Sequence, residues 1–249
     1  MKLFSTLVLM RLVLGTAIVV GMSTESNAII WRPGTMPETE ARAEMQNVGK
    51  LRYTPLCVLG GSCIALGGKW VLTSRHGTQA WSASMLSVQF PALGDQVYWP
   101  KSVMLSPTSD LALLELDSDV EGAGSIRWTR EDAVGKSVWL GGFGVSGPIP
   151  QQRVAGVFYS GYNTVDRERG GKWSLKLQPT TDPAKPNVSV ALMDSGSPLF
   201  LKTERGWRLT GIASSVSSTD ATKRRDRSNY ARLGDAADWL IEHTEMQPD

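Results

Sequence analysis

The sequence predicts an all-β protein, either a barrel or a sandwich, with a helix close to its C-terminal end. Short apolar runs follow one another from residue 56 to residue 213, and Gly, Pro, Asn, Asp or Ser separates most of them. Short strands joined by turns at such regular spacing are typical of barrels and sandwiches. The predicted strands are residues 56–59, 62–66, 70–73, 85–90, 96–99, 111–116, 137–140, 154–159, 173–177, 198–202 and 208–213.

Two stretches have helical patterns instead, residues 37–46 and residues 236–245. The second carries Ala237, Leu240 and Ile241 at helical spacing and follows Asp235, which is a suitable N-cap. The segment 117–135 is polar, contains Gly and lacks a strand pattern. It is the best candidate for a linker between two β-rich halves.

Charge and composition exclude several function classes. The 249 residues include 26 Lys and Arg against 24 Asp and Glu, a formal net charge of +2. So small an excess gives no strong attraction to a phosphate backbone, and we expect no nucleic-acid partner. The chain has only 2 His and 2 Cys, and no two of them have the close spacing of zinc ligands. We therefore expect no metal site.

Two motifs suggest a cofactor or an ion, and both fail on their context. Residues 142–147 satisfy the dinucleotide fingerprint, but Pro148 and Pro150 follow where that motif needs a helix. Residues 117–128 begin like a calcium loop, yet Trp128 takes the place of the bidentate Glu that closes it. We expect no cofactor.

Residues 1–28 have the features of a secretory signal peptide. Lys2 and Arg11 supply positive charge, and residues 12–22 form an apolar run. Ser26-Asn27-Ala28 then places small residues at the two positions that a signal peptidase reads. The alternative is a membrane anchor over residues 3–22, although Arg11 at its centre costs about 2.5–3.5 kcal/mol on insertion scales. We expect cleavage after Ala28, a secreted or periplasmic protein, and no stable membrane insertion after cleavage.

Export permits a disulfide, and Cys57 and Cys63 are the only cysteines available for one. They can bridge only if the chain folds back at Gly60-Gly61. Two buried free thiols are an equally good interpretation.

Five ordered motifs carry a resemblance to the trypsin-like serine protease family. They are WVLTSRH at 70–76, SDLALLEL at 109–116, DSGSPL at 194–199, the segment 207–218, and NYARL at 229–233 followed by the helix. His76, Asp110 and Ser195 occur in the family's order, at intervals of 34 and 85 residues. The chain from about residue 60 to residue 245 is similar to this family in its bacterial form.

The resemblance implies two six-stranded antiparallel β-barrels of the chymotrypsin type with a C-terminal helix. Residues 29–134 would form the N-terminal barrel with His76 and Asp110, and residues 135–249 the C-terminal barrel with Ser195 and the helix. The implied activity is hydrolysis of peptide bonds through an acyl-enzyme. The partner would be a protein or peptide substrate.

The chemistry explains why these three residue types are needed together. A serine hydroxyl is a poor nucleophile near neutral pH, so Ser195 requires a base, His76, to accept its proton. A carboxylate on the other ring nitrogen, Asp110, would orient the imidazole and stabilise its charged form. Asp110 can also be interpreted as a turn or cap residue, with Asp95 as the replacement, and Ser195 as part of a polar turn.

Met193 departs from the family's pattern, because it stands where a glycine donates one of the two N–H groups of the oxyanion hole, the other being that of Ser195. If the loop requires φ > 0, a residue other than glycine stores about 1–3 kcal/mol of strain or turns its N–H away. A catalytically weak or inactive homologue that acts as a protein-binding module is therefore the alternative. Gly77 also replaces the family's cysteine after the histidine, so the usual local disulfide cannot form.

Asp194 suggests a role for the N-terminus that signal-peptide cleavage would create. In many members of the family an Ile ammonium pairs with the aspartate before the serine. If signal removal leaves Ile29 first, its ammonium is a candidate partner for Asp194. The other interpretation is that Asp194 accepts only local backbone N–H groups.

The resemblance also implies a narrow substrate pocket. Ser189 corresponds to its floor, while Ser214, Val216 and Ser228 correspond to its walls. No carboxylate lies at the floor, and side chains on both walls narrow the slot. We expect a small apolar residue before the scissile bond.

Overall fold

The structure is a computed structural model that describes residues 29–32, 36–40, 42–54, 56, 58–94, 96–148, 155–217 and 227–249. The residues 1–28 of the expected signal peptide lie outside this set, as do Cys57 and Asp95. The first strand, β1 (Ile30–Trp31), is short and fully buried.

The N-terminal half forms a sheet of seven antiparallel strands around its own core. Its strands are β2 (Val48–Tyr53), β3 (Val58–Gly67), β4 (Trp70–Thr73), β5 (Leu86–Gln89), β6 (Val97–Tyr98), β7 (Pro100–Leu105) and β8 (Ala112–Leu116). They lie in the order β6-β5-β2-β3-β4-β8-β7. The short β6 pairs with β5 at one edge, which raises the strand number from the predicted six to seven.

The C-terminal half contains a closed six-stranded barrel. The strands of this half are β9 (Ser137–Gly142), β10 (Gly147–Pro148), β11 (Tyr159–Glu168), β12 (Lys172–Lys176), β13 (Val188–Ser189), β14 (Pro198–Thr203), β15 (Gly206–Ser217) and β16 (Arg227–Arg232). The barrel order is β11-β12-β16-β15-β14-β9, antiparallel throughout. The remaining strands, β10 and β13, flank β1 in a small separate sheet.

Three hydrophobic cores hold these parts together. One fills the N-terminal sheet around Leu86 and Leu114, and a second fills the C-terminal barrel around Leu175 and Leu199. The third combines residues from both sheets with Leu240 of the C-terminal helix α2 (Ala237–Thr244), so it packs the two halves against each other. This shared core fixes the relative position of the loops that meet between the halves.

The segment 117–135 runs between the two sheets and contains none of the named strands. Its backbone bonds to both halves, since Ile126 N–H donates to Leu66 O and Thr129 N–H donates to Leu209 O. The predicted boundary at residue 134 would group β1 with the N-terminal barrel, whereas β1 pairs with β10 and β13 of the C-terminal half.

The fold class is confirmed: two barrel-like antiparallel sheets with a C-terminal helix. The predicted helix at 236–245 corresponds to α2. The predicted helix at 37–46 is wrong. Glu38 exchanges two backbone hydrogen bonds with Ser160, at 2.9 and 2.8 Å, so the chain is extended there, and only a 3₁₀ turn, Ala43–Met45, follows. Backbone pairing across the fold outweighs local propensity.

The predicted strand at 154–159 is also misplaced. Gly156 has φ +98° and donates its N–H to Phe143 O, which interrupts any strand at that point, and β11 begins only at Tyr159. The pattern also missed β2, β7 and β16, each of which mixes charged or polar residues with apolar ones. The predicted strands at 56–59 and 62–66 are a single strand, β3.

No helix among the described residues is long and apolar enough to span a membrane.

Candidate active site

His76 lies on a single helical turn, α1 (Arg75–Thr78), that follows directly from β4. Its backbone N–H donates to Asp110 Oδ1 at 2.9 Å, and its ring Nδ1 lies 2.8 Å from Asp110 Oδ2. The carboxylate therefore binds the residue at both its backbone and its ring. The imidazole remains 40% exposed, so it is open to a substrate.

Asp110 precedes β8, the strand that pairs with β4, and this pairing brings it beside His76. A further donor reaches it from the other barrel: Ser214 Oγ donates to Oδ2 at 2.5 Å. Burial by itself raises the pKa of Asp110, but the hydrogen bonds from His76 and Ser214 outweigh it and hold the pKa below its ordinary value. Asp110 is therefore a carboxylate at neutral pH.

Ser195 lies in the loop between β13 and β14, with its Oγ 2.8 Å from His76 Nε2. The loop is fixed by Ser62 N–H, which donates to Ser195 O at 2.9 Å, and by Gly196 N–H, which donates to Ala213 O at 3.0 Å. Gly196 has φ +91°, and a Cβ on it would lie 2.0 Å from Ser62 O. Only glycine can occupy this position beside the serine.

The three side chains form one continuous line of hydrogen bonds. An ionised carboxylate can only accept, so the Nδ1 facing Asp110 carries the proton of a neutral imidazole. The other nitrogen, Nε2, is then a bare acceptor facing the Ser195 hydroxyl. In this tautomer the imidazole can remove the hydroxyl proton of Ser195.

A model of the trypsin family, described simply as Trypsin, matches residues 38–240 of the chain. The chain belongs to the trypsin family. It is therefore a trypsin-like serine protease, a hydrolase that cleaves peptide bonds within a protein or peptide substrate. No curated protein matched the chain in the corresponding comparison.

The loop that precedes the serine has an unusual conformation in this protease. Met193 has φ +65°, one of two residues other than glycine with positive φ in the described part of the chain. The loop thus adopts the left-handed conformation that glycine favours. Within the described residues, no acceptor takes the N–H of Met193 or that of Ser195. Both donors are available to a ligand.

Asp194 of the protease is fully buried directly before the serine. Its Oδ1 accepts Gly144 N–H at 3.0 Å, and its Oδ2 accepts Ala191 N–H at 3.3 Å. Burial raises the pKa of Asp194 from its ordinary 3.8 to about 7, even though these two bonds oppose the rise. Among the described residues no cation pairs with it, so the carboxylate lacks a countercharge.

The structure brings the expected pocket residues together. Ser189 and Ser228 are fully buried and hydrogen-bonded to each other, and Ser228 Oγ also accepts Val190 N–H at 2.9 Å. Val216 lies opposite Ser228 in the β15–β16 pairing, so both side chains are on one face of the barrel wall. Ser214, expected in the pocket, directs its hydroxyl to Asp110 instead.

The remaining cysteine and histidine candidates, Cys63 and His243, take no part in the triad. Cys63 is a buried free thiol, and burial raises its pKa above the usual range. His243 in α2 bonds through Nδ1 to Trp239 O at 2.8 Å and lies outside the site. No cluster of three or more metal-binding side chains occurs in the described ranges.

A cavity of about 330 Å³ opens beside His76 and Asp110, with Arg75 and Lys172 in its lining.

Sequence reasoning missed Ser62 and assigned Ser214 only to the pocket, although both residues hold the triad. Ser62 fixes the carbonyl of Ser195, and Ser214 donates to Asp110. The run Gly60-Gly61-Ser62 was a visible signal, since consecutive glycines in a strand indicate the close approach of another part of the chain. Ser214 gave no comparable signal, because its partner is 104 residues away.

Proposed function

We propose that the protease uses His76 as general base, Asp110 as the carboxylate that orients it, and Ser195 as nucleophile. The observation that carries this proposal is the unbroken hydrogen-bond line from Ser214 through Asp110 and His76 to Ser195. Each link is 2.5–2.8 Å long, within the range of a good hydrogen bond.

The proposed reaction proceeds through an acyl-enzyme. Ser195 Oγ attacks the carbonyl carbon of the scissile peptide while its proton moves to His76 Nε2. The imidazolium then gives this proton to the leaving amine, the C–N bond breaks, and an ester to Ser195 remains. Water then attacks the ester carbonyl while His76 accepts one of its protons. The imidazolium returns this proton to Ser195 Oγ as the ester C–O bond breaks, which releases the acid and restores the Ser195 hydroxyl.

The oxyanion of the tetrahedral intermediate would bind to the N–H groups of Met193 and Ser195. Both donors are unpaired in the described residues, which supports this assignment. Donors aimed at the developing negative charge supply a large part of the rate in acyl transfer.

For substrate choice, we propose a small apolar residue before the scissile bond. The hydroxyls of Ser189 and Ser228 satisfy each other, so the pocket floor presents neither a charge nor an unpaired polar group. Val216 lies next to Ser228 on the same face of the barrel wall, where its side chain would narrow the pocket. A cleavage profile over a peptide library tests this, and a preference for Arg or for large aromatic residues would contradict it.

The proposal includes export to a secreted or periplasmic location, supported by the leader features of residues 1–28. It also includes Ile29 as the mature N-terminus, with its ammonium as the partner of Asp194. Ile29 is fully buried, and the next residue pairs with Gly147 and Ser189, close in sequence to the groups that bond Asp194. N-terminal sequencing of the exported protein tests the cleavage site.

A second candidate, a catalytically weak homologue that binds proteins, is favoured by one observation, the strained backbone of Met193. A fluorophosphonate probe distinguishes the two, because it reacts only with an activated serine. We expect labelling of the wild type, none in Ser195→Ala, and a large loss in His76→Ala. The exposed Ser84→Ala is the matched control and should label normally. A folded wild type that never labels would favour the binding module.

A further inference from the structure

The helical turn that carries His76 is too short to be stable by itself. The turn α1 has four residues, and the side chain of Ser74 does not cap it. At its C-terminal end, Gln79 N–H donates to Arg75 O at 2.8 Å. Helix nucleation is unfavourable at this length, so contacts from outside must hold the turn.

Asp110 holds one side of the turn, and Tyr53 of β2 holds the other. The Tyr53 hydroxyl donates to Gly77 O, directly after the histidine, at 2.8 Å. Its ring also stacks on Trp81, with 4.4 Å between centroids and 16° between planes. The backbone N–H of Trp81 donates to Thr78 O at 2.9 Å, so the residue that carries the stacked indole is bonded to the end of the turn. Tyr53 therefore contacts the turn at two points.

The same tyrosine is supported by the strand that fixes the serine. A Cβ on Gly60 of β3 would lie 2.5 Å from the Tyr53 ring, so the ring rests directly on that backbone. Two residues later on β3, Ser62 N–H donates to Ser195 O. A short chain of contacts thus runs from the histidine turn, through Tyr53 and β3, to the serine loop.

The Tyr53 hydroxyl is suited to be a permanent donor. Burial raises the pKa of Tyr53 above its ordinary value, so the hydroxyl keeps its proton near neutral pH. Its acceptor, the Gly77 carbonyl, belongs to a fully formed turn.

We propose that Tyr53 is a positioning residue that sets the distance from His76 Nε2 to Ser195 Oγ. It acts through the Gly77 carbonyl and touches neither substrate nor the reacting atoms. This inference rests on the proposed function of the triad, because the distance matters only if His76 takes the proton of Ser195.

The test is Tyr53→Phe, which removes the hydroxyl and keeps the ring on Gly60 and Trp81. Tyr98→Phe is the matched control: Tyr98 lies in the same sheet, stacks edge-on against Phe90, and its hydroxyl accepts Glu121 N–H at 3.0 Å. Two measurements are made on each variant, the rate of fluorophosphonate labelling and the rate of amide hydrogen exchange at Gln79.

We expect Tyr53→Phe to slow labelling about fivefold to tenfold and to speed exchange at Gln79 by a similar factor, the effect of one lost hydrogen bond. On a cleaved peptide, kcat should fall and KM should stay unchanged. Tyr98→Phe should change neither rate, although each variant loses one hydrogen bond.

The proposal is overturned if Tyr53→Phe labels at the wild-type rate, or if Tyr98→Phe slows labelling equally. A wild type that never labels would defeat the proposed function instead. In that case the exchange rate at Gln79 still decides whether Tyr53 holds the turn: faster exchange in Tyr53→Phe alone supports it, and unchanged exchange overturns it.

Discussion

Replacing Met193 with glycine should make the protease both more stable and faster. Met193 has φ +65°, where a residue with a Cβ loses about 1–2 kcal/mol relative to glycine. Glycine in turn stabilises the unfolded chain by about 0.4–1 kcal/mol through its greater freedom. The expected net gain from the backbone is thus about 0.5–1 kcal/mol.

The rate should also rise, because the N–H of residue 193 is a proposed oxyanion donor and glycine lets the loop adjust to the oxyanion without strain. Strain already present in the resting fold affects the resting state and the transition state equally, so only additional strain in the transition state changes the rate. Relief of about 1 kcal/mol of such additional strain speeds labelling by a fluorophosphonate about fivefold. Met193→Ala keeps the Cβ and its strain but removes the rest of the side chain. The difference between the Gly and Ala variants therefore isolates the backbone effect from lost packing.

A second position provides the control. Glu245 follows α2 with φ +59°, and it takes no part in the hydrogen bonds of the triad. Glu245→Gly should gain stability over Glu245→Ala by a similar amount and leave labelling unchanged. The reasoning is refuted if Met193→Gly labels no faster than Met193→Ala, or if Glu245→Gly accelerates labelling to the same degree.

Three further predictions concern the site and its surroundings. Ser214→Ala removes a hydrogen bond to a charged group, worth about 1.5–3 kcal/mol, and should reduce kcat/KM about tenfold to a hundredfold; an unchanged kcat/KM would show that the bond to Asp110 is unimportant. Val216→Gly should broaden the cleavage profile toward larger residues before the scissile bond, as measured with a peptide library. An unaltered profile would show that Val216 does not line the pocket. A form with one extra residue before Ile29 should be less active, and its unfolding free energy in urea should fall as pH rises. The sign follows from the raised pKa of Asp194, about 7 in the fold against an ordinary 3.8, because the fold then favours the protonated acid. This contribution to the unfolding free energy is complete below about pH 4 and is lost by about pH 7, and the total loss is up to about 4 kcal/mol. The form that begins at Ile29 should lack this loss, since its ammonium would pair with Asp194, and equal pH dependence in the two forms would contradict the pairing.

Local pattern was sufficient for the strands with a clear apolar character. Trp70–Thr73 was predicted with its observed bounds, and the helix near the C-terminus was predicted within one residue at each end. Both are segments whose buried residues recur at the period of the element. The pattern failed at 37–46, where the pairing of Glu38 with Ser160 across the fold decides the conformation.

The β2 strand shows why other strands could not be predicted. Its sequence, VGKLRY, includes a glycine and two charged residues, which are poor indicators of a strand. Nevertheless it is central in its sheet, paired on both sides with β3 and β5. Those pairings supply the hydrogen bonds and burial that the local sequence does not predict.

The sequence by itself determined which residue types stand at the site, because the motifs around His76, Asp110 and Ser195 are contiguous and appear in a fixed order. It also indicated that the backbone at Met193 could be strained, since Met193 replaces a glycine in a loop that often needs one. Only the tertiary structure decided how these groups meet. It sets the φ of Met193, the hydrogen bond from Ser214 to Asp110, and the hydrogen bond from Tyr53 to the turn that carries His76. The physical reason is range. Two barrels must pack on a shared core before side chains 119 residues apart lie 2.8 Å from each other, and no local preference encodes that distance.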